Sequence, residues 1–200
     1  MDRGGDWEEM KPVEIVKARL MESAVLKEKL QAEADTVIEA VNAIVSAFRS
    51  GHKVLLFGNG GSAADAQHIA AELAGKFAKD RDPLPAMALT TNTSTLTAIA
   101  NDYEFNEVFA RLVKAHARQG DVVIGISTSG TSENVVRGIK TAKAAGAYTI
   151  ALCGAGGNLR ELADLTLAVP SKETPRIQEA HITLGHIICE LVEEDLFGGK

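Results

Sequence analysis

The sequence predicts one α/β domain built on a five-stranded, mainly parallel sheet flanked by helices, with a helical arm at its N-terminal side. Three observations carry this prediction. Short apolar runs alternate with helical segments from Gly51 onward. The connections between runs are helical, as parallel strands require, which puts helices on both faces of the sheet. No linker, repeat or low-complexity tract divides the 200 residues, a length that suits one domain with a full core. Residues 1–12 read as an extension and 13–200 as the domain, arm included.

The elements follow in order. Over 13–49, Leu26, Leu30, Val37, Val41, Ile44 and Phe48 recur at helical spacing, a long helix or helical pair on the core. Ile38 and Val45 widen that stripe beyond one buried face, leaving room for a subunit interface. "KVLLFG" is the first strand, followed by a helix to about Lys76. "PAMALTT" precedes helical segments from about Ser94 to Arg118, and "DVVIGIS" precedes "SENVVRGIKTAKAAG". "YTIALCG" leads to "NLRELAD", and "LTLAVP" to a helix from Thr174 to Leu196. The crossovers are expected to be right-handed, giving a flavodoxin-like arrangement.

Composition removes several classes of function. The net charge is −6, with lysines scattered, so no basic footprint for nucleic acid or anionic lipid exists. "MDRGGDWEEMKP" is charged and lacks the apolar core of a secretory signal, and no apolar run has the length of a membrane span. Cys153 and Cys189 both sit in apolar segments, which points to buried thiols in a reducing cytoplasm. No nucleic-acid or membrane partner is expected.

"VLLFGNGGSAADAQHIAAE" contains Gly58-Asn59-Gly60-Gly61-Ser62-Ala63, which fits the G-x-G-x-x-G/A loop of dinucleotide folds. That fold needs a carboxylate at the end of the second strand to hold the ribose. Here the strand ends in Thr90, Thr91 and Asn92, and Asp80 and Asp82 precede it. The dinucleotide reading fails. The loop "GISTSGTSEN" also follows a strand and opens a helix. Ser127, Thr128, Ser129 and Ser132 supply hydroxyls around the Gly130 turn. A helix starting near Thr131 points free N–H groups and its positive end at them. A single hydroxyl would cap a helix; four within six residues fit a phosphate bound without lysine or arginine. Both loops lie at strand carboxyl ends, where open α/β sheets bind ligands. One holds phosphate and the other faces the polar remainder, a phosphosugar pocket.

His68 and Glu72 are four apart on the helix after the first loop, one face and about 6 Å of rise. Their neighbours Ile69, Ala70, Leu73 and Ala74 are apolar. The last helix carries Gln178, His181 and His186. Gln178 and His181 share a face. Gln178 and His186 are about 80° and ~12 Å apart, within reach of one point between them. Spacing does not choose between the two histidines. Asn101 and Asp102 end a helical segment as caps, turn residues or sugar ligands. His52 and His116, in polar stretches, read as structural.

The motifs "GNGGSAADAQHIAAE", "TAIANDYEFNEVF", "GISTSGTSENV" and "TPRIQEAHITLGHIICELVE" together resemble the sugar isomerase (SIS) family, and more closely its phosphoheptose isomerases. The resemblance covers nearly the whole chain. It implies a homotetramer with sites at subunit contacts and conversion of D-sedoheptulose 7-phosphate to D-glycero-D-manno-heptose 7-phosphate. That step opens nucleotide-activated heptose synthesis for lipopolysaccharide and related glycans. Carried onto matching positions, it makes Asn59, Gly60, Gly61, Asn101 and Asp102 substrate contacts, with Glu72 and Gln178 also facing the substrate. Ser127, Thr128, Ser129 and Ser132 hold the phosphate, and Glu72 and His186 carry acid–base catalysis. In zinc-containing members His68, Glu72, Gln178 and His186 bind one Zn²⁺ per subunit. This selects His186 over His181.

The residue types suit that chemistry. An aldose–ketose isomerisation through an enediol needs a base beside both carbons and a donor for their oxygens, which Glu and His supply. Some SIS proteins are not enzymes: they bind a replication initiator or sense phosphosugars. Such a protein has no need of Glu72, His186, His68 and Gln178 together, and this sequence has all four.

Overall fold

The computed structural model describes residues 11–199. Most of the expected extension, residues 1–10, lies outside them. Helix α1 (Pro12–Lys29) begins with proline at its first position, where a missing N–H costs nothing. A 3₁₀ turn over Leu30–Glu33 bends the chain into α2 (Ala34–Arg49), so the arm is a helical pair. α2 buries Val37, Ala40, Val41, Ile44, Val45 and Ala47. Ile38 stays exposed, and so do Val13, Val16, Leu20, Met21 and Val25 of α1. Of the two residues that widen the stripe in the sequence, Ile38 is uncovered apolar surface, whereas Val45 is buried in the core.

Five strands form one parallel sheet in the order β2-β1-β3-β4-β5. They are β1 (Val54–Gly58), β2 (Ala86–Ala88), β3 (Val122–Ser127), β4 (Tyr148–Cys153) and β5 (Leu165–Ala168). β1 and β3 are buried along their whole length. Their side chains alternate between two cores, as period-2 geometry demands. Val54, Leu56, Val122, Ile124, Ile126, Ile150 and Leu152 face α1, α2, α3 (Gly61–Ala74) and α8 (Thr174–Phe197). Leu55, Phe57, Val123, Ala151 and Cys153 face the other layer. That layer consists of α4 (Thr93–Asp102), α5 (Val108–His116), α6 (Glu133–Ala144) and the short α7 (Leu159–Leu162). An apolar run without visible alternation thus conceals a strict one.

Three boundaries differ from expectation. The second strand is an edge strand of three residues; the chain turns away after Leu89 N–H bonds to Leu56 O at 2.8 Å. The helical region 94–118 breaks at Tyr103, whose backbone leaves the helical range (φ −122°, ψ −96°); α4 has no buried residue, whereas α5 packs Val108, Phe109, Leu112 and Val113. The helix expected from Thr131 starts at Glu133, since Ser132 takes an extended conformation (φ −60°, ψ 111°). Cys153 and Cys189 are free and buried, and burial pushes their thiols up to about 11 and about 12. No helix among the described residues is long and apolar enough to cross a membrane.

One ion pair joins α8 to the segment after α3. Glu193 and Arg81 are each 2% exposed, with Arg81 Nε 2.9 Å from Glu193 Oε2. Glu193 also accepts from the backbone N–H groups of Phe77, Ala78 and Lys79 at 3.0, 2.8 and 2.7 Å. Burial alone would raise the Glu193 carboxyl. The three N–H groups and the guanidinium outweigh it and hold the group down at about 2. A carboxylate depressed in the folded state adds stability that is complete above its ordinary value and disappears as pH falls through the folded one. Urea stability should therefore decline between pH 4.5 and about 2. Glu193→Ala should cost about 3–5 kcal/mol at neutral pH, since it strands a buried guanidinium, and should flatten part of that decline. Equal urea midpoints for variant and wild type at pH 7 would show the pair to be inert.

Candidate active site

Strand order reverses between β1 and β3: the chain leaves β1 for β2 on one side, then returns to add β3 on the other. The two crossovers leave in opposite directions, opening a crevice above the carboxyl ends of these strands. Both ligand-type loops rise there. Asn59 and Asn134, the latter buried, join them through a reciprocal amide pair: each Nδ2 donates to the other's Oδ1, at 2.8 and 2.9 Å. Asn134 was not identified from the sequence; no local pattern shows that it lies beside Asn59. Gly60 turns the first loop at φ 56° and ψ −122°, a conformation L side chains avoid. Gly61 lies under Gln178 of α8, so closely that a Cβ would collide with the Gln178 amide.

In the second loop the hydroxyls face one another. Ser127 Oγ lies 3.1 Å from Ser132 Oγ and 3.4 Å from Ser129 Oγ, and the Ser129 hydroxyl also accepts from Thr131 N–H at 3.2 Å. Ser132 occupies the N-cap position of α6, yet its side chain makes no cap bond. The ordinary capping role is not realised. The hydroxyl turns inward instead, beside the free N–H groups of a 12-residue helix. Thr128 is tied through its carbonyl, which accepts from Gly154 N–H at 3.2 Å.

α3 and α8 pack together and bring their polar residues to one place. His68 Nε2 is 2.9 Å from His186 Nε2 and 3.2 Å from Glu72 Oε1. Ligand atoms of these three side chains lie within 4.8 Å of one another. His68 is 49% and Glu72 26% exposed, so the group opens outward from an apolar helix pair. The packing also separates the two histidines. His181 is fully buried, and burial pushes its imidazole down to about 4, whereas His186 joins the cluster. Two imidazole nitrogens and a carboxylate, with solvent access, form a donor set that zinc accepts in open catalytic sites. The residues fit such an ion, with the Gln178 amide on the same helix.

Other side chains around the cluster had no clear sequence signal. Phe77 sets its ring 5.9 Å from that of His186. Asp65 lies one turn before His68, and burial pushes its carboxyl up to about 6 against the pull of His68. Its i, i+3 spacing to His68 was the available hint. Asn101 and Asp102 are not joined to the cluster. Both are exposed at the end of α4, with Asn101 Nδ2 donating to Asp102 Oδ1 at 2.9 Å. His52 lies 3.9 Å from Asp121, before the amino end of β1 and so at the opposite end of that strand from the first loop.

Known proteins resemble this chain in sequence and fold. The sequence profile of the SIS domain matches residues 21–154. The phosphoheptose isomerase of Aquifex aeolicus is 57% identical over 184 residues, 91% of this chain and 96% of that protein. The solved phosphoheptose isomerase GmhA from Neisseria gonorrhoeae superposes with a TM-score of 0.87 at 42% identity, covering 92% of this chain and 100% of that one. The phosphoheptose isomerase structure from Francisella tularensis gives 0.88 at 35% identity, with the same coverage. With matched sequence, matched fold and the two loops above one crevice, the chain belongs to the SIS domain family, among its phosphoheptose isomerases.

Proposed function

We propose that this chain interconverts D-sedoheptulose 7-phosphate and D-glycero-D-manno-heptose 7-phosphate, as the first step toward nucleotide-activated heptose for lipopolysaccharide and related glycans. The observation that carries this is the convergence of His68, Glu72 and His186 beside the first of two joined ligand loops. The relatives' names support the class of substrate.

The phosphate sits in the second loop, held by Ser127, Thr128, Ser129, Ser132 and the N–H groups that open α6. Neutral donors suit a dianion here, because they need no buried counter-charge and are already oriented. Asn59, Gly60, Gly61 and Gln178 face the sugar chain, with Asn101 and Asp102 on hydroxyls. Glu72 takes the proton from C1 of the ketose and returns it to C2, and the same carboxylate serves both carbons. His186 moves the proton between the two oxygens, so that O1 loses its hydrogen as O2 gains one. His68, Glu72, Gln178 and His186 would hold one Zn²⁺, which supplies Lewis-acid polarisation of the sugar oxygens when bound.

The same reading makes the protein a homotetramer with sites at subunit contacts. Exposed Val13, Val16, Leu20 and Met21 on α1 support this. So does an apolar groove of about 250 Å³ between Leu30, Val37 and Ile38 on one side and Leu184, Ile187 and Leu191 on the other. Two buried, unpaired thiols are in keeping with a cytoplasmic location.

Glu72→Gln should lower turnover by about 10²–10⁴-fold, the usual cost of losing a positioned base. It should also abolish solvent deuterium exchange at the substrate carbon, with metal content measured on the same preparation. Near-normal turnover would sink the mechanism. Ser129→Ala with Ser132→Ala should weaken phosphosugar binding in calorimetry while leaving the melting temperature close to wild type. Unchanged affinity would remove phosphate from this loop. Light scattering at micromolar concentration should give the mass of four chains, and a stable monomer would refute the assembly.

A further inference from the structure

The Arg81–Glu193 pair does more than fasten a loop. Arg81 Nη2 donates to the backbone carbonyl of Glu72 at 3.0 Å, and Nη1 to those of Leu73 and Gly75 at 2.9 and 3.2 Å. These carbonyls end α3, where helical partners have run out, and a cation there complements the negative end of the helix. The same guanidinium bonds Glu193 of α8. Glu193 stands seven residues after His186, two turns along nearly the same face. Its carboxylate also holds the N–H of Phe77, whose ring packs on His186. Three routes from this pair therefore lead to the cluster: to the Glu72 backbone, along the His186 helix and to the His186 ring.

We propose that Arg81 and Glu193 are positioning residues for the isomerisation, setting Glu72 on α3 against His186 on α8. This rests on the functional reading above. Stability alone does not account for the pair, because well-packed apolar residues often replace a buried ion pair at no loss. The fork of Arg81 does something apolar residues cannot. It fixes two helices to one point through directed bonds, and lysine, with a single nitrogen, cannot reach the same set.

The test uses the full chain and two variants. Arg81→Lys keeps the charge opposite Glu193 but gives up the bond to the Glu72 carbonyl; Glu193→Gln weakens the hold on Arg81 and the Phe77 segment. Four quantities are read well below the melting temperature: kcat and KM for sedoheptulose 7-phosphate, Zn²⁺ affinity of metal-free protein by chelator competition, and amide hydrogen exchange at Phe77, Ala78 and Lys79. Arg81→Lys should lower kcat and weaken Zn²⁺ affinity by about 10- to 100-fold, the range typical of outer partners of a metal site. KM should stay near wild type, since the phosphate loop is untouched. Wild-type kcat and Zn²⁺ affinity in Arg81→Lys, with faster exchange in Glu193→Gln, would reduce the pair to structural glue and overturn the proposal. If the wild-type chain binds Zn²⁺ but does not turn over the sugar, the functional reading fails, and Zn²⁺ affinity alone decides on the pair.

Discussion

The reversal of strand order between β1 and β3 governs everything else in this molecule. A parallel sheet with helices on both faces has no free face to offer a ligand, so only its ends remain. At most strand ends the next crossover closes over the edge. Between β1 and β3 the crossovers part, and two loops are left side by side over a gap. The Asn59–Asn134 amide pair locks them together, so one small ligand meets both. α3 leaves the first loop and α8 packs along it, which brings residues more than a hundred positions apart to the same crevice.

The site divides its electrostatic work accordingly. The second loop, proposed above to hold the phosphate, carries hydroxyls and helix N–H groups, fixed dipoles that would need no reorganisation on meeting an anion. Ionisable side chains are kept for the other side, where Glu72, His68 and His186 meet. On the proposed reading an acidic chain accepts an anionic substrate because the nearest groups, rather than the net charge of −6, set the local field.

Much of this was legible in the sequence, for identifiable physical reasons. Both loops were readable because glycine, serine and threonine at a strand-to-helix turn have a short-range meaning. His68 and Glu72 were readable as a pair because one helix positions both. Tertiary packing was not readable. His181 and His186 both sit among apolar neighbours on one helix; only the tertiary packing of α8 turns the first inward toward Cys153 of β4 and brings the second to His68 of α3. Asn134 reads as an ordinary polar residue in the first turn of a helix until its partner across the sheet is known. The helix start at Glu133 rather than Thr131 was hidden for the same reason, since the Ser132 hydroxyl is drawn to Ser127 instead of capping α6.

The least legible part is the ion pair of Arg81 and Glu193, and its obscurity follows from its geometry. In the sequence Arg81 is one charge among Lys79, Asp80 and Asp82, a pattern typical of a solvated loop. Glu193 is one of two adjacent glutamates near the end of an amphipathic helix. Nothing local separates it from Glu194, which is exposed, whereas Glu193 is buried. The difference is rotational: Glu193 falls within about 20° of the His186 direction on α8, and Glu194 about 100° further round. A helix that presents His186 to His68 on α3 therefore also presents position 193 to the chain that follows α3. A buried carboxylate there must be matched by donors, and the segment after α3 supplies a guanidinium and three backbone N–H groups. The register that brings His186 to His68 thus also sets Glu193 two turns away, where the chain after α3 supplies its donors.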